Sequence, residues 1–265
     1  MVFTGSRTTL ERVIELAVGA GETVLGYYGR PHEVERKGDA SPITQADRAA
    51  HAQIVDGLAR IDPGTPVISE EAALPEYELR RQWRQFWLVD PLDGTKEFIA
   101  ENGEFTVNIA LIECGEPILG VIVAPAFGLV YFASSTAGAW RRERNGETVR
   151  LLHGDQPREI TRVVESRSHP SAEMEAFIAT LGPVERTQLG SSLKFCRVAE
   201  GSSDLYPRFG PTMEWDVAAG DCIYRNAAPS GRQRPSPLVY NQPALTTAGF
   251  VIGEAKHSRP PFQMV

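Results

Sequence analysis

The stretch Trp87-Leu88-Val89-Asp90-Pro91-Leu92-Asp93-Gly94-Thr95 constrains this chain more than any other. Residues 86–89 form an apolar run of the length of a buried strand, and Pro91 and Gly94 then break it. Asp90 and Asp93 therefore stand where a strand gives way to a turn. Crowded carboxylates repel, and a bound cation is the simplest way to keep both ionised. The amides of Gly94 and Thr95 follow at the expected start of a helix, where an anion is favoured. Carboxylates for a metal beside amides for a phosphate point to metal-dependent hydrolysis of a phosphate ester.

The flanking sequence alternates between helical and strand texture. Leu10, Val13, Ile14, Ala17, Gly21, Val24, Leu25 and Tyr28 recur at helical spacing, which predicts an amphipathic helix ending near Gly29. A second helix is expected over 44–61, closed by Asp62-Pro63-Gly64, and a short strand over 66–69 delivers Glu70 and Glu71. Three β-rich runs at 105–112, 117–123 and 129–133, separated by turn residues, predict an antiparallel meander. Beyond residue 133, strands at 162–165, 184–189 and 205–208 alternate with helices at 171–181, 191–200 and 214–225. The fold class is thus mixed α/β. An α+β half with an antiparallel sheet is expected over residues 1–133 and an α/β half over 134–265, with acids meeting at the seam between them.

Bulk properties narrow the partners. A formal net charge of −7 over 265 residues argues against a nucleic-acid polymer and leaves room for a small anion in a local basic pocket. Cys114, Cys196 and Cys222 form no Cys-x-x-Cys pair and no zinc pattern, which fits a reducing cytoplasm. The first residues lack the basic-then-apolar order of a secretory signal, and no apolar run reaches the roughly 18 residues that span a bilayer. Peripheral attachment to the inner membrane stays open on this test.

Four acids form the candidate metal set: Glu70, Asp90, Asp93 and Asp216, the last in Glu214-Trp215-Asp216 at a helix start. An all-oxygen set without histidine or cysteine favours Mg²⁺ or Mn²⁺ over Zn²⁺. Taken singly, Asp216 reads as a helix cap, Asp93-Gly94 as a turn and Glu70-Glu71 as a solvated pair. Their combination with Gly94-Thr95 carries the argument.

Residues 86–98 resemble the first signature of the inositol monophosphatase superfamily, and Trp215-Asp216-Val217-Ala218-Ala219-Gly220 resembles the second. Ile68-Ser69-Glu70-Glu71 is similar to the family's short acidic motif, and Ile43-Thr44-Gln45-Ala46-Asp47 to the motif ahead of its second helix. Lys96-Glu97-Phe98, residues 102–109, 189–196 and 204–212 are similar to one branch, the bacterial 3'(2'),5'-bisphosphate nucleotidases of the CysQ group. The resemblance spans roughly residues 8–255 and implies a layered αβαβα fold. It implies that Glu70, Asp90 and the Leu92 carbonyl bind one Mg²⁺, that Asp90, Asp93 and Asp216 bind a second, and that Glu70 helps hold a third. Mn²⁺ is the substitute ion. Gly94 and Thr95 then hold phosphate through their amides, and Thr95 orients the attacking water while its hydroxyl bonds Asp47. Li⁺ inhibition and a role in sulfate assimilation are further implications, as is a monomer or homodimer.

For the substrate, His169, Ser191, Lys194 and Arg208 match nucleotide-contacting positions of that branch. Lys194 and Arg208 lie on separate expected elements and can converge on a second phosphate, for which arginine offers paired donors. Inositol phosphatases carry an acid at the position matching Arg208. The expectation is therefore removal of the 3'-phosphate of adenosine 3',5'-bisphosphate, with the 5'-phosphosulfate analogue as a second substrate. The rivals are inositol monophosphate or fructose 1,6-bisphosphate as substrate, and a non-catalytic nucleotide sensor. One departure from the family follows Ile223, where Tyr224-Arg225-Asn226-Ala227-Ala228 replaces a small-residue helix end and paired glycines.

Overall fold

A computed structural model describes residues 7–30, 35–36, 42–152, 159–167, 171–228 and 233–255. The chain runs α1 (Arg7–Tyr27), β1 (Glu35–Arg36), β2 (Pro42–Ile43), α2 (Gln45–Ile61), β3 (Val67–Ser69), α3 (Tyr77–Arg80), β4 (Gln85–Asp93) and α4 (Thr95–Ile99). A meander follows: β5 (Thr106–Glu113), β6 (Glu116–Ala124), β7 (Leu129–Ser134), β8 (Gly138–Glu143) and β9 (Thr148–Arg150). The remainder is β10 (Thr161–Ser166), α5 (Ala172–Thr180), β11 (Val184–Leu189), α6 (Leu193–Ala199), β12 (Leu205–Arg208), β13 (Thr212–Met213), α7 (Glu214–Asn226), β14 (Thr246–Thr247) and β15 (Phe250–Gly253).

Two sheets organise these elements. The larger has seven strands in the order β3-β4-β5-β6-β7-β8-β9, antiparallel except for the parallel β3–β4 pair. The smaller has the order β11-β10-β12-β15, with only the β12–β15 pair antiparallel. Strand alternation distributes the larger sheet between two cores. Trp87, Val89, Val107, Ile109, Val121 and Val123 face α1 and α2. Phe86, Leu88, Ala110, Ile112 and Ile122 face α6 and α7, which pack in turn against Tyr206, Phe250 and Ile252 of the smaller sheet. Met174 and Ile178 of α5, with Leu181 just beyond its end, cover the opposite face of that sheet around Val163 and Leu205. The five layers are helices, sheet, helices, sheet and helix, as the αβαβα expectation has it. Close approach of α7 to the larger sheet depends on Gly120, where a Cβ would lie 2.6 Å from the Ala219 carbonyl oxygen.

Two boundaries differ from the sequence reading. The seam placed at 133/134 falls inside β7, and the first sheet continues to Arg150 because β8 and β9 extend the meander. Their outward residues are polar and leave no burial signal to mark them as strands. Strand β4 also runs through Pro91 to Asp93 rather than stopping at the proline. Asp90 pairs with Asn108 and Asp93 with Thr106, so β4 carries one residue more than β5 there. Such a bulge has no ladder bond for Pro91 to miss.

The segment after Ile223 continues α7 to Asn226. Buried Asp221 accepts from Arg225 Nε at 2.9 Å and from the Tyr240 hydroxyl at 2.8 Å. Arg225 also donates to the Leu238 carbonyl at 3.1 Å and to Glu116, pinning the C-terminal segment to helix and sheet. Asp221→Ala leaves the buried Arg225 Nε and Tyr240 hydroxyl without their acceptor and should cost about 3 kcal/mol of stability, read as a lower urea midpoint at unchanged m-value.

Candidate active site

Carboxylates from three elements converge at one end of the larger sheet. Glu70 follows β3, Asp90 lies in β4, and Asp216 occupies the first turn of α7. One oxygen from each lies within 4.8 Å of the others. Asp90 is buried, and its carboxyl is pushed well above the usual range, first by burial and then by the charges of Glu70, Asp93 and Asp216. Asp216 is raised to about 7, again by burial first and then by Asp93. Such mutual repulsion fits a set of hard oxygen donors assembled for a divalent cation.

Each acid is oriented by local structure. Asp90 Oδ1 accepts the Leu92 N–H at 3.0 Å across the bulge. Asp216 Oδ2 accepts the Thr212 hydroxyl and, at 3.1 Å, the Met213 N–H, so this residue serves as helix cap while also facing the site. Asp93 lies outside the 4.8 Å group. Its Oδ2 instead accepts the Ser192 N–H at 2.6 Å, the Asn108 amide at 3.2 Å and the Thr106 hydroxyl at 3.4 Å. Burial raises the Asp93 carboxyl, while Lys194 works in the opposite direction.

Beside the acids, Gly94 adopts φ of +90°, where an L side chain is strained, and Thr95 starts α4. The Thr95 hydroxyl lies 3.4 Å from Asp47 Oδ1 and 3.3 Å from the Leu92 carbonyl. Asp47 Oδ2 is held by the Thr44 N–H at 2.8 Å and its hydroxyl at 2.6 Å, the capping box of α2. Burial raises the Asp47 carboxyl against these lowering bonds. Thr44 is a part of the site that residue-by-residue reading left unassigned, although its spacing to Asp47 is a capping signal.

Cationic side chains share the site. A cavity of about 190 Å³ is lined by Glu70, Asp93, Gly94, Thr95 and Asp216 together with Ser191, Lys194, Tyr206 and Arg208. Lys194 is buried, not solvated, and its Nζ donates to the carbonyls of Leu189 at 3.3 Å and Ser191 at 2.5 Å. Burial pulls its pKa down to about 8, with Asp93 holding it up, so it remains mostly protonated at neutral pH. Arg208 donates to the Pro211 carbonyl at 3.1 Å, while its buried Nε has no hydrogen-bond partner among the described residues. A buried donor of this kind suits an incoming anion. His169 lies outside the described residues.

Three further side chains belong to the site and were not singled out individually by sequence: Thr106, Asn108 and Ser192. The signal for two of them was available. Thr106 and Asn108 are polar residues two apart in an otherwise apolar run, which places both on one face of the strand.

Comparison with known proteins identifies the family. The model of the Inositol monophosphatase family matches residues 6–229. The 3'(2'),5'-bisphosphate nucleotidase CysQ of Salmonella typhimurium is 50% identical over 216 residues, covering 81% of this chain and 86% of that protein. The Escherichia coli K12 protein of the same name is 49% identical with the same coverage. Among solved structures, CysQ from Bacteroides thetaiotaomicron superposes with a TM-score of 0.80 at 40% identity, covering 96% of this chain and 99% of that one. An inositol monophosphatase from Thermotoga maritima gives a TM-score of 0.73 at 25% identity, covering 93% and 92%.

Proposed function

This chain belongs to the inositol monophosphatase family, and within it we infer that it is a 3'(2'),5'-bisphosphate nucleotidase. The substrate is adenosine 3',5'-bisphosphate, and the products are AMP and phosphate. The observation that carries this reading is one cavity lined both by carboxylates with Gly94 and Thr95 and by Lys194 and Arg208. A monophosphate needs only the first group; a bisphosphate uses both.

The donor set fits Mg²⁺, which Glu70, Asp90, the Leu92 carbonyl, Asp93 and Asp216 would hold. When bound, such ions neutralise the charge of the phosphate dianion and lower the pKa of water. The chain's own residues supply the rest. The N–H groups of Gly94 and Thr95 hold phosphate oxygens at the start of α4. The Thr95 hydroxyl donates a hydrogen bond to Asp47 Oδ1, which leaves its lone pairs to accept one from the attacking water. Asp47 keeps that orientation because its other oxygen is occupied by Thr44. Attack is direct and in line, with no phosphoenzyme. Lys194 and Arg208 bind the phosphate that is not cleaved. Among the described residues no helix is long and apolar enough to cross a membrane. We place the reaction in the cytoplasm, where it removes a by-product of sulfate assimilation.

The test compares phosphate release from adenosine 3',5'-bisphosphate and from inositol monophosphate. A higher kcat/KM for the inositol ester would reject the reading. Arg208→Gln should lower kcat/KM for the bisphosphate about a hundredfold, the scale of losing one partner of a desolvated charge pair, and leave the inositol ester nearly unchanged.

A further inference from the structure

Asp93 has two carboxylate oxygens, and one of them is committed to the protein interior. Its Oδ2 lies within reach of three donors: Ser192 N–H at 2.6 Å, Asn108 Nδ2 at 3.2 Å and Thr106 Oγ1 at 3.4 Å. Donor and acceptor chemistry sets the direction of every bond in the cluster. Ser192 Oγ lies 2.8 Å from Asn108 Oδ1, which can only accept, so the serine donates there. The amide nitrogen of Asn108 is thereby turned to Asp93. Thr106 Oγ1 lies 2.9 Å from Ser192 Oγ, and its proton goes to that oxygen or to Asp93. Thr106, Asn108 and Ser192 are all buried.

This cluster joins two parts of the molecule. Thr106 and Asn108 belong to β5 of the larger sheet, and Ser192 immediately precedes α6, which carries Lys194. Lys194 Nζ bonds the carbonyls of Leu189 and Ser191, the same backbone that leads into the Ser192 N–H. Ser191 has φ of +50°, a strained conformation for a non-glycine residue. An anion that draws on Lys194 therefore acts on the backbone that grips Asp93.

We propose that Thr106, Asn108 and Ser192 are positioning residues that present Asp93 Oδ1 alone to the metal centre and couple it to α6, so that an anion at Lys194 and Arg208 tightens divalent-cation binding. The coupling half rests on the nucleotidase reading; the positioning half does not. Coupling of this kind is reciprocal, so the cation tightens the anion by the same factor.

The test uses the full chain and Mn²⁺ as probe, with free Mn²⁺ read by electron paramagnetic resonance. The second probe is AMP, which carries a 5'-phosphate and no 3'-phosphate to ligate the ion. In wild-type protein AMP should tighten Mn²⁺ binding several-fold, and adenosine should not. Ser192→Ala should weaken Mn²⁺ binding about tenfold, the scale seen when a ligand loses its supporting hydrogen bond, and abolish the AMP effect. Thr106→Val should move both readouts the same way and Thr106→Ser should restore them, which keeps the test available if Ser192→Ala does not fold. A folded Ser192→Ala or Thr106→Val that binds Mn²⁺ as wild type does, with the AMP effect intact, overturns the proposal. Wild-type protein that binds Mn²⁺ but not AMP overturns the coupling together with the nucleotidase reading. Wild-type protein that binds both without mutual effect overturns the coupling alone.

Discussion

Asp90→Asn is expected to lower kcat about a thousandfold and, in the same protein, to raise the melting temperature of the metal-free form. The first effect follows from the position of Asp90 between Glu70 and Asp216, where its charge is part of the donor set. Losing one preorganised electrostatic group at a reacting phosphate costs on this scale. The second effect follows from the same geometry. Asp90 is buried and surrounded by Glu70, Asp93 and Asp216, which together with burial hold its carboxyl well above the ordinary range. An amide keeps an oxygen for the Leu92 N–H and removes the repulsion. Function and stability thus oppose each other at one residue, a trade common at active sites. Phosphate release at saturating Mg²⁺ and calorimetry in chelator measure the two effects. Activity within tenfold of wild type would remove Asp90 from the chemistry.

The same acids predict a coupling between pH, metal and stability. Asp216 is raised from 3.8 to about 7, and Asp90 and Asp93 are also raised. Between about pH 4 and 7 the native site holds protons that the unfolded chain has released, so the native state binds more protons. The contribution of these groups to metal-free stability therefore falls as pH rises through that window. A divalent cation binds the ionised native site and competes with those protons, so its stabilisation grows with pH. About 10 mM Mg²⁺ should shift Tm little at pH 5 and by ~5 °C or more at pH 8, and chelator should reverse the shift. Equal shifts at both pH values would show that these carboxylates are not the binding groups.

Much of this molecule is legible in its sequence because its elements are locally consistent. The α1 and α2 periodicities, the Thr44 cap and the meander of β5, β6 and β7 all agree with their final packing. The layered order came from family resemblance, since periodicity alone does not say which sheet face a helix covers. Tertiary pairing decided what was misread. Pro91 looks like a strand breaker in isolation, but the ladder to β5 carries the strand past it. Strands β8 and β9 are largely polar and lie at the far end of the sheet, so hydrophobic pattern does not report them. The burial of Lys194 is not visible in sequence because it depends on Tyr206, at 5.4 Å from its ring centroid, and on Asp93, far away in sequence. The acids were visible as a set; the hydroxyls and amide that aim Asp93 were not, because each is ordinary until its partner is known.

The extra residue in β4 has a consequence for how this motif can vary. In an unbroken strand, positions an odd number apart look in opposite directions, so Asp90 and Asp93 would straddle the sheet. The bulge turns that odd interval into an even one, and both carboxylates end up beside Asn108 and Thr106, partners two apart on the neighbouring strand. Losing the bulge while keeping all four residues would swing the second acid toward the side occupied by Trp87 and Val89, under α1 and α2. Retaining the bulge is therefore a tighter restriction on this motif than the chemistry of its middle side chains.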